Sequence, residues 1–255
     1  MKGIRSVYAA IEMDTLRLVS EAVAQQGVPP TLEAAEALAQ SLFPSVLELR
    51  RSMWAREAAL ISAEFPTAVV PESRPYPFTA LLKLIRNSAG LSPKPKLMQL
   101  ELFDPLTVSM QVRRVAPAWV PGEEAAVEEM KRRLSAGVAR HTKQASRDLV
   151  FDVSERNHIK YARRLSGAEN CSFCALMASR GAVYTSERAA GGDGNFFHDH
   201  CDCWVELVKD ESTWEGREEA KHYEDMWNEA FHGSPKENMK KFGQLFRAEQ
   251  KERIL

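Results

Sequence analysis

One constellation limits what this chain can fold into more than any other feature. It is Cys171-Ser-Phe-Cys174, then 23 residues, then His198-Asp-His200-Cys201-Asp-Cys203. Two cysteines separated by two residues form a knuckle with both sulfurs on one side of a tight turn, which suits zinc–thiolate bonds of about 2.3 Å in a tetrahedron. A histidine and two cysteines returning within six residues complete a paired ligand cluster, a far stronger signal than a single cysteine. Six donors compete for four places. Cys171, Cys174 and His198 are expected to bind, joined by one or both of Cys201 and Cys203. His200 is expected beside the site or at the surface, since structural sites close with four ligands.

The ion is expected to be structural. A catalytic zinc keeps a position open, usually has His or carboxylate ligands, and works with a nearby general base. This set is rich in thiolate and has donors to spare. The chain contains no His-Glu-x-x-His run, and the deaminase pattern of His-x-Glu with Pro-Cys-x-x-Cys is missing. Neither a Gly-x-Ser-x-Gly elbow nor a phosphate-cradling Gly-x-x-x-x-Gly-Lys occurs. Ser154, Ser166, Ser179 and Ser186 fall in no pattern that nominates them as nucleophiles.

Compartment and charge narrow the possibilities further. Met1 to Ala10 lacks the apolar core of a signal peptide, and no stretch reaches the roughly 20 apolar residues of a membrane-spanning helix. A reducing cytosol is therefore expected, where four cysteines serve metal or catalysis rather than disulfides. Lys plus Arg number 34 and Asp plus Glu 35, a formal net charge of -1, without the basic excess of a dedicated nucleic-acid binder. The clusters Arg113-Arg114 and Lys131-Arg132-Arg133 read as solvated helix faces.

Periodicity predicts a mainly α fold with a small α+β zinc-stapled C-terminal module. Residues 1–120 read as a helical N-terminal region, and 121–255 as a long helix, the zinc module and terminal helices. After the N-cap candidate Thr31, Leu32, Ala35, Leu38, Leu42, Val46 and Leu49 recur at helical spacing. Pro44 is expected to kink or divide that run. A second stretch continues through Trp54, Ala58 and Ile61. Pro66, Pro71, Pro75 and Pro77 mark an irregular connector before a short helix around Phe78 to Arg86. Leu100, Leu102 and Val108 to Val112 are expected in short strands.

Past Pro121-Gly122, a long helix opens on Glu123, Glu124 and Glu128 near its N-terminal end. Val127, Met130, Leu134, Val138, His141 and Ala145 keep its period, with His141 a partly buried structural residue. The stretch from Asn157 to Val208 carries all four cysteines and the loop Gly191-Gly192-Asp193-Gly194. It has too little apolar mass of its own, so a metal is expected to supply the missing stability. Trp214 to Phe231 and Pro235 to Gln250 read as terminal helices, with Trp227, Phe231, Phe242, Leu245 and Phe246 assigned to core packing.

The segment from Tyr161 to Tyr184, containing Arg163, Cys171, Cys174, Ser179, Arg180 and Gly181, resembles the Vg15-like minor head proteins of tailed phages infecting actinobacteria. Those proteins are often labelled capsid maturation protease and are related to the Mu F-like head morphogenesis family. His198-Asp-His-Cys201-Asp-Cys203 resembles the family's closing His-x-x-Cys-x-Cys, and Trp214-Glu-Gly216, Trp227 and Phe246-Arg247 fit its tail. The likeness is specific from about Arg147 to Arg247. It implies a Mu F-like zinc-binding module in a virion or procapsid component, assembled in the host bacterial cytoplasm beside portal, scaffold and major capsid proteins.

Three functional classes follow. The first is a head-assembly protein acting near the portal. The second is a maturation protease cleaving scaffold or capsid protein, for which the chain displays no catalytic motif. The third is a zinc module touching packaged DNA, which the charge balance disfavours. Arg163, Arg180 and Gly181 carry no assigned chemistry, and Gly181 is expected as a left-handed helix cap.

Overall fold

A computed structural model describes residues 3–91, 124–165, 170–187, 203–231 and 233–254. Among these, seven helices and one two-stranded sheet form a mainly helical fold. In chain order they are α1 (Ile4–Gln26), α2 (Leu32–Glu64), α3 (Phe78–Ser88), α4 (Glu124–Asn157), β1 (Tyr161–Arg164), α5 (Ser172–Ala178), β2 (Trp204–Leu207), α6 (Arg217–Ala230) and α7 (Pro235–Ile254). The strands expected at Leu100, Leu102 and Val108 to Val112 lie outside the described residues, as does the loop at Gly191 to Gly194.

The chain divides into two compact units. One holds Met13–Glu48 and Pro75–Val138; the other holds Met1–Glu12, Leu49–Arg74 and Ala139–Leu255. Helices α1, α2 and α4 each supply residues to both.

In the first unit, Thr31 starts α2 as expected, its Oγ1 accepting the Ala34 amide at 3.2 Å. The helix runs unbroken through Pro44 instead of dividing there. Leu38 and Leu42 before the proline and Val46 after it are all buried. At about 1.5–3 kcal/mol each, their burial outweighs the roughly 3 kcal/mol cost of an interior proline. Leu32, placed on the same face by spacing, is 46% exposed because it opens the first turn.

Helix α3 buries Leu81, Leu84, Ile85 and Ser88, an i, i+3, i+4, i+7 pattern that makes one face. Leu81, Leu84 and Ile85 share a core with Val19 and Val23 of α1 and with Met130, Leu134 and Val138 of α4. Gly137 makes the close approach possible, since a Cβ there would fall 2.3 Å from Leu84 Cδ1. Lys131 pairs with Glu128, and Arg132 and Arg133 both with Glu129, so this basic cluster is satisfied along its own helix.

The second unit is built around the C-terminal half of α4. Leu149, Val150, Phe151 and Val153 meet Ile61 of α2, Tyr161 of β1, Cys174 and Ala175 of α5, Val205 and Leu207 of β2, Tyr223 of α6, and Phe242 and Phe246 of α7. The cysteine-bearing segment does not bury its apolar residues alone: they join a core to which the helices around it also contribute. Phe231, assigned to the core by spacing, is 63% exposed because it lies just past the end of α6.

Strands β1 and β2 pair antiparallel, with Tyr161 opposite Leu207 and Arg164 opposite Trp204. Burial of nearly every residue on both strands removes the alternation that marks a half-buried strand. The proline-marked connector is pinned to α4 by polar contacts. Arg74 donates to Asp152 at 2.6 and 3.1 Å and to Glu187 at 3.1 Å, while the Asn157 amide bonds both backbone groups of Val69.

Candidate metal centre

The first half of the cysteine constellation is a helix start. Cys171 is the N-cap of α5, extended at φ -81° and ψ 142°, and its Sγ accepts the Cys174 amide at 3.2 Å. A sulfur thus fills the place that a Ser or Asp oxygen takes at many helix caps. Cys174, three residues on, is buried, and Cys171 is half-buried against the same core.

The end of this short helix is closed as the sequence suggested. Gly181 adopts φ +63°, and its amide donates to Ala178 at 3.0 Å. Ser179 Oγ donates to Leu176 carbonyl at 2.7 Å, and Tyr184 Oη to Met177 carbonyl at 2.6 Å. The Arg180 guanidinium lies over the Tyr184 ring at 5.3 Å.

Cys203 comes from the opposite end of the constellation, immediately before β2. It is buried in the same apolar cluster as Cys174, and its carbonyl accepts Arg147 Nη2 at 2.7 Å. His198, His200 and Cys201 lie outside the described residues. Among the described residues, no three His, Cys, Asp or Glu side chains are gathered so as to hold a metal ion.

Around Cys203, α4 carries a run of buried polar residues that the hydropathy pattern did not single out. Arg147 is fully buried. Ser146 Oγ donates to Glu57 Oε2 at 3.1 Å and lies 3.1 Å from the Tyr8 hydroxyl. Burial pushes the Glu57 carboxyl up to about 8 and raises the Tyr8 phenol above its ordinary range. Lys143 reaches Glu12 at 3.3 Å, and Asp148 lies 3.9 Å from Arg50. Burial also raises Asp148, opposed by the Gln144 hydrogen bond and the nearby Arg74 and Arg50 charges.

A second polar cluster flanks β2. Glu206 accepts hydrogen bonds from Arg164 at 3.0 Å, from Trp204 Nε1 at 3.4 Å and from Trp214 Nε1. Arg164 also donates to Glu219 at 2.9 Å and lies against the rings of Trp204 and Trp214. Gly216 fits here because a Cβ would come within 2.2 Å of the Trp214 ring. Arg163 is almost completely buried on β1, opposite Val205.

Sequence reasoning missed Glu57, Ser146, Arg147 and Glu206 as one structural theme. They lie on three elements, Ser146 and Arg147 on α4, Glu57 on α2 and Glu206 on β2, and no local sequence pattern joins them.

No helix among the described residues is long and apolar enough to cross a membrane. No curated protein and no solved structure matches the chain. Residues 86–230, more than half of the 255 residues, match the family described as VG15 protein. That span contains α4, the whole cysteine constellation, the sheet and α6, and the chain belongs to the VG15 protein family.

Proposed function

We propose that the chain is a minor head protein of a tailed phage, acting in head assembly near the portal. In this reading it is a virion or procapsid component whose partners are the portal, scaffold and major capsid proteins. The family match over residues 86–230 carries the proposal, and the resemblance of the Tyr161–Tyr184 and His198–Cys203 segments to phage minor head proteins gives it its direction. The polar side chains buried in the second unit hold that unit together. They tie helix to helix and helix to strand, as Arg147 does at Cys203 and Arg164 does at Glu206 and Glu219.

The same reading places a structural zinc on Cys171, Cys174, His198 and one or both of Cys201 and Cys203. The donor chemistry suits a thiophilic ion. Cys171 and Cys174 share one turn, and the Cys171 sulfur accepts the Cys174 amide there. The ion would staple the two ends of the constellation and perform no step of its own.

Co-expression with the neighbouring scaffold and major capsid proteins, followed by intact mass of every product, tests the assembly role. Unchanged masses, with the chain co-purifying in capsid-like particles, are expected. A discrete truncation that requires this chain would replace the proposal with a maturation protease or an activator of one.

A further inference from the structure

The C-terminal helix reaches back to the cysteine knuckle with an unusual contact. Gln250 Nε2 donates to the Asn170 carbonyl at 2.8 Å, and Gln250 Oε1 accepts the Asn170 amide at 2.8 Å. A side-chain carboxamide is geometrically a peptide group, so this pair copies the two-bond exchange of neighbouring antiparallel strands. It holds both backbone groups of the residue immediately before Cys171.

The same helix lies close to Ser172. A Cβ at Gly243 would meet Ser172 Oγ at 3.3 Å, while Phe242 and Phe246 pack into the core that contains Cys174 and Ala175. The turn is therefore gripped on its polar side by Gln250 and on its apolar side by the two phenylalanines. Within that grip, Cys171 is extended and its sulfur takes the Cys174 amide.

We infer that Gln250 is a positioning residue for the Cys171–Cys174 turn, holding Cys171 where its sulfur accepts the Cys174 amide before any metal arrives. The consequence for metal affinity rests on the zinc reading proposed above. Groups that orient ligands from outside commonly change metal affinity by about 10–100-fold when lost.

The test uses the full chain, stripped of metal and then titrated with Co2+. Gln250→Met keeps the length and apolar stem of the side chain but removes both hydrogen bonds. Glu249→Gln is the control, altering the neighbouring α7–α6 contact to His222 at 2.7 Å without touching Asn170. In metal-free protein, Gln250→Met should speed exchange of the Asn170 and Cys174 amides by about tenfold or more, with Leu149 and Val150 of α4 unchanged. Glu249→Gln should leave the Cys174 amide as in wild type.

Wild-type Cys174 exchange in Gln250→Met overturns the positioning role. Should that variant fail to fold, Gln250→Glu keeps the acceptor for the Asn170 amide but sets a carboxylate oxygen against the Asn170 carbonyl, and exchange of the Cys174 amide decides. Thiolate-to-cobalt absorption should then show Co2+ bound about tenfold more weakly in Gln250→Met than in wild type. Equal affinity in the two proteins overturns the metal consequence. A wild-type protein that binds no Co2+ overturns the zinc reading alone, because amide exchange has already settled the positioning role.

Discussion

Glu57 sits fully buried, with Oε2 taking the Ser146 hydroxyl and Oε1 having no hydrogen-bond partner among the described residues. Removed from water, the carboxyl keeps its proton up to about pH 8, against 4.5 for an ordinary glutamate. Below pH 4.5 both folded and unfolded chains hold the proton, and the group imposes no pH-dependent penalty. As pH rises from 4.5 to about 8 only the unfolded chain releases it, so stability falls across that window and levels above it. Each unit is worth about 1.4 kcal/mol at most. Glu57→Gln should flatten this loss, so that urea unfolding at pH 5 and pH 8 differs less in the variant than in wild type. Arg147 presents the converse case, a buried cation donating to the Cys203 carbonyl. Arg147→Met leaves that carbonyl without this donor and should cost about 2–3 kcal/mol, read as a lower midpoint in the same urea titration.

At the scale of elements, the sequence period located the helices well, because each apolar stripe is wide and its ends carry chemical markers. Thr31, the proline-marked connector and Gly181 all do what their residue types suggested. Pro44 does not divide α2, since its effect is local while Leu38, Leu42 and Val46 bury on both sides of it. Strands β1 and β2 were not legible, because four-residue strands buried on both faces show no alternation. Gly137 offers a direct test of close helix packing. Alanine there gains about 1 kcal/mol of helix propensity, but its Cβ would collide with Leu84, and overpacking costs about 1–3 kcal/mol. Gly137→Ala should therefore lower the melting temperature, and Gly137→Ala combined with Leu84→Val should recover part of the loss.

For the whole molecule, the cysteine-bearing segment is embedded in a core made by α2, α4, α6 and α7 as well as by its own residues. A metal would then add to an existing core instead of substituting for one. Cys171→Ser is expected to abolish binding of about one zinc per chain and to lower the melting temperature by several degrees. The far-UV helical signal of the metal-stripped protein should nevertheless remain near that of the loaded one. Collapse of that signal on chelation would restore the simpler picture in which residues 157–208 fold only around the ion.

The amino-acid sequence by itself determined the mainly helical class, helix ends marked by residues such as Thr31 and Gly181, and the candidate donors Cys171, Cys174, His198, Cys201 and Cys203. These are properties of neighbouring residues, set by spacing, capping chemistry and ligand type. Tertiary structure decided which polar side chains would be buried and what would meet them. Arg147 reaches Cys203, Glu57 reaches Ser146, and Gln250 reaches Asn170 across 80 positions of chain. Nothing in a local pattern encodes such pairings, because a buried polar group is tolerated only where a distant segment brings the matching donor or acceptor.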